Sequence, residues 1–255
     1  MSLDGKIFIS TVSIHRLKEI RNIFNKMGAR VVDFPMTRIV EADDKAPVLK
    51  AVRELEKFRW IVFTSANGVN FFLDILKSET GSVILPVNIK IASIGEKTTA
   101  QLEKNGIKPM HTSLAKNKEE LAKELKSMES LQNTNVLLPL GNLAPGYMEN
   151  ELSDVASVTR INVYKTEKPE NIDTAPMNLV KKDKYDMVLF TSASGVYNFA
   201  AMMRSLNWEL SPRSACIGGS TAEAAEKCGF ICLVKAGEST YEGLAKEIAM
   251  YYKKQ

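Results

Sequence analysis

The sequence predicts an α/β protein built from two similar halves, each a five-stranded parallel sheet flanked by helices. Two observations predict this fold. Short apolar runs alternate with segments of helical periodicity, which is typical of parallel strands joined by crossover helices. In addition, segment 57–72, KFRWIVFTSANGVNFF, returns as segment 184–199, KYDMVLFTSASGVYNF, with six of the last nine positions identical. Segment 94–106 returns in the same way as 217–229, so the repeat extends over a whole α/β unit.

Each half is predicted to contain five strands, because five short apolar runs are bounded by turns or polar residues. A parallel sheet of this size with a helix after each strand is flavodoxin-like. In the first half the runs are KIFIS (6–10), ARVVDF (29–34), IVF (61–63), IASIG (91–95) and IKPMH (107–111), and in the second half VLLPL (136–140), SVTRINVY (157–164), MVLF (187–190), ACIG (215–218) and ICLV (231–234).

Helices are predicted between these strands, where apolar residues recur every three to four positions. The second strand of each half is instead followed by an extended polar segment with proline, PMTRIVEADD (35–44) and KTEKPENID (165–173), which indicates two interdomain crossings. The predicted helices are one that passes through 23–27, then 69–76, 98–105 and 119–128 in the first half, and 145–152, 196–206, 221–228 and 241–252 in the second.

The composition excludes several classes of protein. The chain is 45% hydrophobic and 25% charged, as in ordinary globular proteins. Its 34 basic and 30 acidic residues give a net charge of +4 without a dense basic block, which speaks against nucleic-acid binding. It has neither the roughly 18 consecutive apolar residues of a membrane span nor the pattern of a signal peptide, and its 3 cysteines make no disulfide framework. We therefore expect a cytoplasmic protein without a metal.

The candidate binding residues lie in four turns that join a strand to a helix: TSANG, IGEKT, TSASG and IGGST. Such turns form the ligand crevice of open α/β sheets, and free N–H groups at helix starts attract anions. A polyanionic ligand would suit a cleft lined by these neutral donors, although the hydroxyl residues could also serve only as N-caps. The candidates are Ser65, Asn67, Gly95 and Thr98 in the first half and Ser192, Ser194, Gly218 and Thr221 in the second.

Tyr164 is the candidate catalytic residue. It ends the strand SVTRINVY where the chain enters the second crossing, so we expect it to face the cleft, where a phenol can donate a proton to a leaving oxygen. Other chemistry has little support. The glycine pair Gly141 and Gly146 has phosphate-loop spacing, but the Lys and Ser or Thr that should follow are absent. No nucleophile elbow accompanies the two histidines.

Several short motifs occur here in the order typical of one family. They are F-T-S-x-x-G-V, I-G-x-x-T, V-Y-x-T, a second F-T-S-x-S-G and a second I-G-x-x-T, with E-G-L near the end. With these motifs the chain resembles the uroporphyrinogen-III synthase family from residue 7 to residue 248. The motifs lie at 63–69, 94–98, 163–166, 190–195, 217–221 and 242–244.

The resemblance implies two flavodoxin-like lobes joined by two crossing strands. Lobe one would combine residues 1–36 with 168–255, and lobe two would hold 38–165, with the crossings near 35–44 and 163–173. The repeated halves of the sequence and the lobes in space would then not coincide.

The resemblance also implies an activity in heme biosynthesis. Family enzymes dehydrate and cyclise hydroxymethylbilane, a linear tetrapyrrole with eight carboxylates, and invert its ring D to give uroporphyrinogen III. They use no cofactor, and we expect a monomer that receives its unstable substrate by transient handover from hydroxymethylbilane synthase. Tyr164 would be the proton donor, Thr98 matches the family's I-G-x-x-T threonine, and Ser65 and Ser194 match its turn hydroxyls.

Two departures from the family pattern concern charge. Many members carry arginine where this chain has Val12 and Leu140, so pairing with substrate carboxylates is in doubt at these positions. Arg38, Lys97 and Arg160 are the candidates to compensate.

Two alternatives to the synthase remain. A non-catalytic two-lobed binding protein for a polyanionic small ligand would keep the lobes without needing the tyrosine. A tandem receiver-like module is disfavoured, because the strands end in Ser10, Thr64, Thr191 and Gly218 rather than in the aspartate that accepts phosphate.

Overall fold

A computed structural model describes residues 2–113, 118–170, 173–209 and 211–254. The chain divides into two compact units: unit one is Met1–Arg38 with Glu167–Gln255, and unit two is Ile39–Thr166. The chain therefore passes between the units twice. The predicted crossing at 163–173 includes residues 171 and 172, which lie outside the described residues.

Eleven strands occur in the part of the chain that the structure describes, and short apolar runs form most of them. In chain order they are β1 (Ile7–Ser10), β2 (Arg30–Asp33), β3 (Arg38–Glu41), β4 (Trp60–Phe63), β5 (Lys90–Ile94), β6 (His111–Ser113), β7 (Asn135–Gly141), β8 (Ser157–Glu167), β9 (Met187–Phe190), β10 (Arg213–Cys216) and β11 (Ile231–Lys235).

Ten α-helices connect these strands within the same described ranges. None of them combines the length and the apolar character that a membrane span requires. In chain order they are α1 (Leu17–Asn25), α2 (Ala46–Arg53), α3 (Ala66–Thr80), α4 (Glu96–Lys104), α5 (Lys118–Lys126), α6 (Tyr147–Ser153), α7 (Thr174–Lys181), α8 (Ala193–Ser205), α9 (Gly219–Lys227) and α10 (Tyr241–Lys253).

The two sheets have similar arrangements of strands, but the strands follow each other differently along the chain. The sheet of unit one runs β11-β10-β9-β1-β2, and the other sheet runs β3-β8-β7-β4-β5-β6. The parallel pairs of the first sheet are β2-β1, β1-β9, β9-β10 and β10-β11. Those of the second sheet are β8-β7, β7-β4, β4-β5 and β5-β6. The sheet of unit one has the 2-1-3-4-5 order of flavodoxin-like folds. Apart from β3, the sheet of unit two has this order only when β7 and β8 are counted first, because in chain order its strands lie as 5-4-1-2-3. The predicted α/β class with parallel sheets and flanking helices is confirmed.

The central strands are buried on both faces, which is why their sequences are continuously apolar. In β9, Met187 and Leu189 pack on the side of α1 and α10, whereas Val188 and Phe190 pack on the side of α8 and α9. β4, with the sequence WIVF, is equally buried. Each unit therefore has its own apolar core on both sides of its sheet.

Two details of the predicted strands are wrong. Five strands are correct for one sheet, but the other has six, because β3 forms within the predicted crossing 35–44 and lies beside β8. The strand predicted at 107–111 begins only at His111. Pro109 has no N–H for a ladder, which explains why pairing does not start earlier.

The sequence halves exchange their first two strands. β1 and β2, from the first half, join the sheet of the second half, where β1 pairs with β9. β7 and β8, from the second half, join the sheet of the first, where β7 pairs with β4. The carboxylate of Asp186 reinforces the first junction, since it accepts hydrogen bonds from Lys6 Nζ at 3.0 Å and from the Ile7 N–H at 2.8 Å.

Candidate functional site

Tyr164 lies near the carboxyl end of β8, and a β-bulge sets the direction of its side chain. Leu140 of β7 stands opposite Asn162, and Gly141 stands opposite Tyr164, so Val163 is left without a partner. A bulge interrupts the strict alternation of side chains. Val163 and Tyr164 consequently both pack against the apolar core of unit two on its α3 side.

Two contacts hold the half-buried ring of Tyr164. The ring stacks on Phe71 of α3, with 5.7 Å between ring centroids and 28° between ring planes. The phenol oxygen lies 3.4 Å from Ser65 Oγ. This separation is long for an O–H···O hydrogen bond, although catalytic hydrogen bonds are often long without substrate.

Ser65 also caps helix α3. Its backbone is extended, and its Oγ accepts a hydrogen bond from the Gly68 N–H at 3.0 Å. Since Oγ accepts from the helix, its own proton is free to be donated to the oxygen of Tyr164. The positive end of the α3 dipole lies at this position and stabilises negative charge.

The equivalent turn of unit one has the same cap but no tyrosine. Ser192 Oγ accepts from the Gly195 N–H at 3.1 Å and lies 3.1 Å from Ser194 Oγ. The residue that corresponds to Phe71 in the repeat is Asn198, whose amide donates to the Met36 carbonyl at 2.8 Å. This turn of unit one therefore offers hydroxyl groups.

We predict that Ser65→Ala and Ser192→Ala each lower the free energy of unfolding by about 1 kcal/mol, the usual cost of losing an N-cap. Chemical denaturation of each variant measures this change. Ser194→Ala is the control, because the Ser192 cap survives it, and it should stay within about 0.5 kcal/mol of the parent. An equal loss in all three variants would contradict the capping role.

Helices α4 and α9 begin differently, with glycine at the N-cap. Gly95 adopts φ of +75°, a left-handed conformation that favours glycine, and Gly218 starts α9 from extended backbone. Neither provides a side-chain oxygen, so the first-turn N–H groups have no side-chain cap. Thr98 and Thr221 are buried, at 5% and 3% exposure. These two turns can therefore offer an anion mainly their backbone N–H groups.

The two positions without arginine lie in the core. Val12 is 3% exposed and Leu140 is 2% exposed, so neither brings charge to a strand end. Arg160 is already bound, because it donates to Glu149 Oε1 at 2.7 Å and to the Gly141 carbonyl at 3.1 Å.

The other two candidate cations differ in their surroundings. Arg38 pairs with Glu167 and Glu170, and hydrogen bonds to these two carboxylates raise the pKa of its guanidinium. Lys97 is exposed in the first turn of α4.

The structure joins Tyr164 directly to only one predicted site residue, Ser65, and adds Phe71, which sequence reasoning missed. The signal that could have found Phe71 is the difference between the repeats, where asparagine replaces it. Asn67 lies half-buried in the first turn of α3. Across the residues that the structure describes, no three His, Cys, Asp or Glu side chains group as metal ligands would.

Comparison with known proteins gives a consistent family. The family model described as uroporphyrinogen-III synthase HemD matches residues 18–246. The chain is 29% identical over 228 residues to the porphyrin biosynthesis protein HemD of Ruminiclostridium josui, of which it spans only 44% of the length. It is 30% identical over 247 residues to a uroporphyrinogen-III synthase family protein of Methanocaldococcus jannaschii, with 93% of this chain and 97% of that one covered.

Solved structures share the fold. A mutant uroporphyrinogen III synthase of Thermus thermophilus superposes with a TM-score of 0.64 at 15% identity, covering 98% of this chain and 100% of that one. The Helicobacter pylori uroporphyrinogen-III synthetase gives a TM-score of 0.64 at 17% identity, covering 97% and 99%. At these identities the likeness concerns the fold alone.

Proposed function

Because the chain belongs to the uroporphyrinogen-III synthase family, we propose that it converts hydroxymethylbilane to uroporphyrinogen III in heme biosynthesis. The reaction removes one water and closes the macrocycle with inversion of ring D. The observation that carries this proposal is the position of Tyr164, a phenol near the carboxyl end of β8, next to the hydroxyl that caps helix α3.

Tyr164 is proposed to donate its proton to the departing hydroxyl of the bilane. The C–O bond then breaks with release of water, and the pyrrole nitrogen lone pair stabilises the cation that remains. Ser65 can donate a hydrogen bond to the tyrosinate, and the start of α3 stabilises its charge. For ring D to be inverted, the cation bonds to the ring D carbon that already carries the methylene bridge, and the bond from this carbon to the bridge breaks. The bridge then bonds to the free α-carbon of ring D, and the proton lost from that carbon restores the phenol.

The remaining predicted residues are proposed to bind the carboxylates of the substrate. Each unit brings two strand-to-helix turns to the carboxyl edge of its sheet, and the backbone N–H groups there suit anions. Ring closure depends mainly on holding the two ends of the bilane in reach of each other. This is why a site with one phenol and many neutral donors is sufficient chemically. The proposed binding residues are Ser65, Asn67, Gly95, Thr98, Ser192, Ser194, Gly218 and Thr221.

The deciding experiment is a coupled assay. Hydroxymethylbilane is generated enzymatically, the protein is added, and the oxidised porphyrin isomers I and III are separated. We expect isomer III to predominate with the protein present and isomer I without it, since free bilane closes without inversion. Isomer I alone from folded protein would reject the synthase and favour a binding protein for a polyanionic ligand.

Other expectations from the sequence stay predictions. They are the absence of a cofactor, the monomeric state, the location in the cytoplasm and the direct transfer of the bilane from hydroxymethylbilane synthase. Solution scattering addresses the monomer directly, because the mass of one chain is 28.3 kDa.

A further inference from the structure

Gly141, the last residue of β7, leaves open the space that the ring of Tyr164 occupies. A Cβ atom built at position 141 would lie 2.5 Å from Tyr164 Cζ and 2.9 Å from the phenol oxygen. Both distances are shorter than a Cβ tolerates. Gly146 lies in the loop that follows, and a Cβ there would have no atom within 4 Å.

The backbone does not explain the glycine at position 141. Positive φ angles, which favour glycine, occur at other glycines such as Gly95 and not at Gly141. Gly141 still stands opposite Tyr164 in the ladder, directly after the bulge at Val163. The absence of a side chain at position 141 matters because it leaves space for the ring of Tyr164.

We infer that Gly141 is a positioning residue for Tyr164. With no side chain at 141, the phenol can lie against the end of β7 while its hydroxyl stays 3.4 Å from Ser65 Oγ and its ring stacks on Phe71. A methyl group at 141 displaces the ring and separates the two hydroxyls. The consequence for catalysis rests on the proposed function.

The first test compares Gly141→Ala with the matched control Gly146→Ala. Because the contacted atoms are the far end of a side chain, the ring can swing away and the fold survives. We expect Gly141→Ala to lower kcat about 100-fold, since a displacement of about 1 Å in a reacting group can cost that much. KM should stay within about threefold, and Gly146→Ala should leave both constants unchanged. A kcat within threefold of the parent would overturn the inference.

The second test separates positioning from a general structural effect. In a Tyr164→Phe background the hydroxyl is already absent, so adding Gly141→Ala should lower kcat by less than about threefold. Such non-additivity is the mark of two residues acting as a unit. If the two losses multiply instead, Gly141 acts elsewhere and the inference fails.

A third measurement does not depend on activity. In protein labelled with ¹³C-tyrosine, the Tyr164 ring signal is identified by its disappearance in Tyr164→Phe. Gly141→Ala should shift this signal, and Gly146→Ala should not. If the parent protein makes no isomer III, the proposed function fails while this comparison still decides the placement of the ring. An unshifted signal in Gly141→Ala would reject the inference that Gly141 positions the ring of Tyr164.

Discussion

Tyr164→Phe is expected to lower kcat by at least about 100-fold, because a positioned general acid contributes about 10²- to 10⁴-fold. Phenylalanine keeps the ring and its stacking on Phe71 but has no proton to give. The free energy of unfolding should change by less than about 1 kcal/mol, since only one long hydroxyl contact is lost. The loss should appear in catalysis rather than in folding.

The measurement is the initial rate of isomer III formation with saturating, freshly generated bilane. Tyr251→Phe is a suitable control, because Tyr251 lies near the end of α10, where its ring contacts Tyr252. We expect the control to match the parent. Turnover by Tyr164→Phe within threefold of the parent would remove Tyr164 from the proton-donor role and leave the family assignment intact.

Phe199→Ala is expected to lower the free energy of unfolding by about 3–5 kcal/mol, the range for deleting a buried aromatic side chain. The ring is fully buried in unit one. It makes edge-to-face contacts with Phe34, Phe190 and Phe230 at centroid distances of 5.9, 5.5 and 5.8 Å. Domains are typically stable by only about 5–15 kcal/mol, so this change should leave unit one barely folded.

Urea unfolding followed by circular dichroism measures the effect, with the midpoint and slope compared between variants. Phe199→Leu is the matched control and should lose much less, because leucine keeps most of the apolar volume. A loss below about 1 kcal/mol for the alanine variant would show that the aromatic group collapses around the vacancy. If Phe199→Ala and Phe199→Leu had the same free energy of unfolding, this would also show that the surrounding aromatic side chains fill the space left by Phe199.

The sequence allowed most strands to be predicted, because buried parallel strands such as MVLF and WIVF are continuously apolar. The local pattern did not predict β3, since the run RIVE is short, has charged ends and lies in a proline-containing segment; only the family resemblance implied a crossing strand there. Its pairing with β8 depends on tertiary structure. The exchange of strands between the repeats likewise cannot be read from periodicity, because both arrangements use the same local pattern.

The site was predictable only in part. The capping hydroxyl of Ser65 follows from local sequence, and so does the place of Tyr164 near the carboxyl end of its strand, although β8 continues to Glu167 rather than ending at Tyr164. The bulge at Val163 does not, because it depends on how β7 and β8 match in length. Phe71 and Gly141 matter through contacts across the fold rather than through any motif, so neither was predicted to act on the tyrosine.

The strand exchange determines the order in which the two units can fold while the ribosome synthesises the chain. Unit two is continuous in sequence and can fold as soon as residue 166 has emerged. The segment β1-α1-β2 ends at Asp33, but its partner β9 starts at Met187. At about 5–20 residues per second, the nascent amino-terminal strands wait roughly 8 to 30 s with an unpaired edge. Unpaired strand edges of this kind are prone to aggregation.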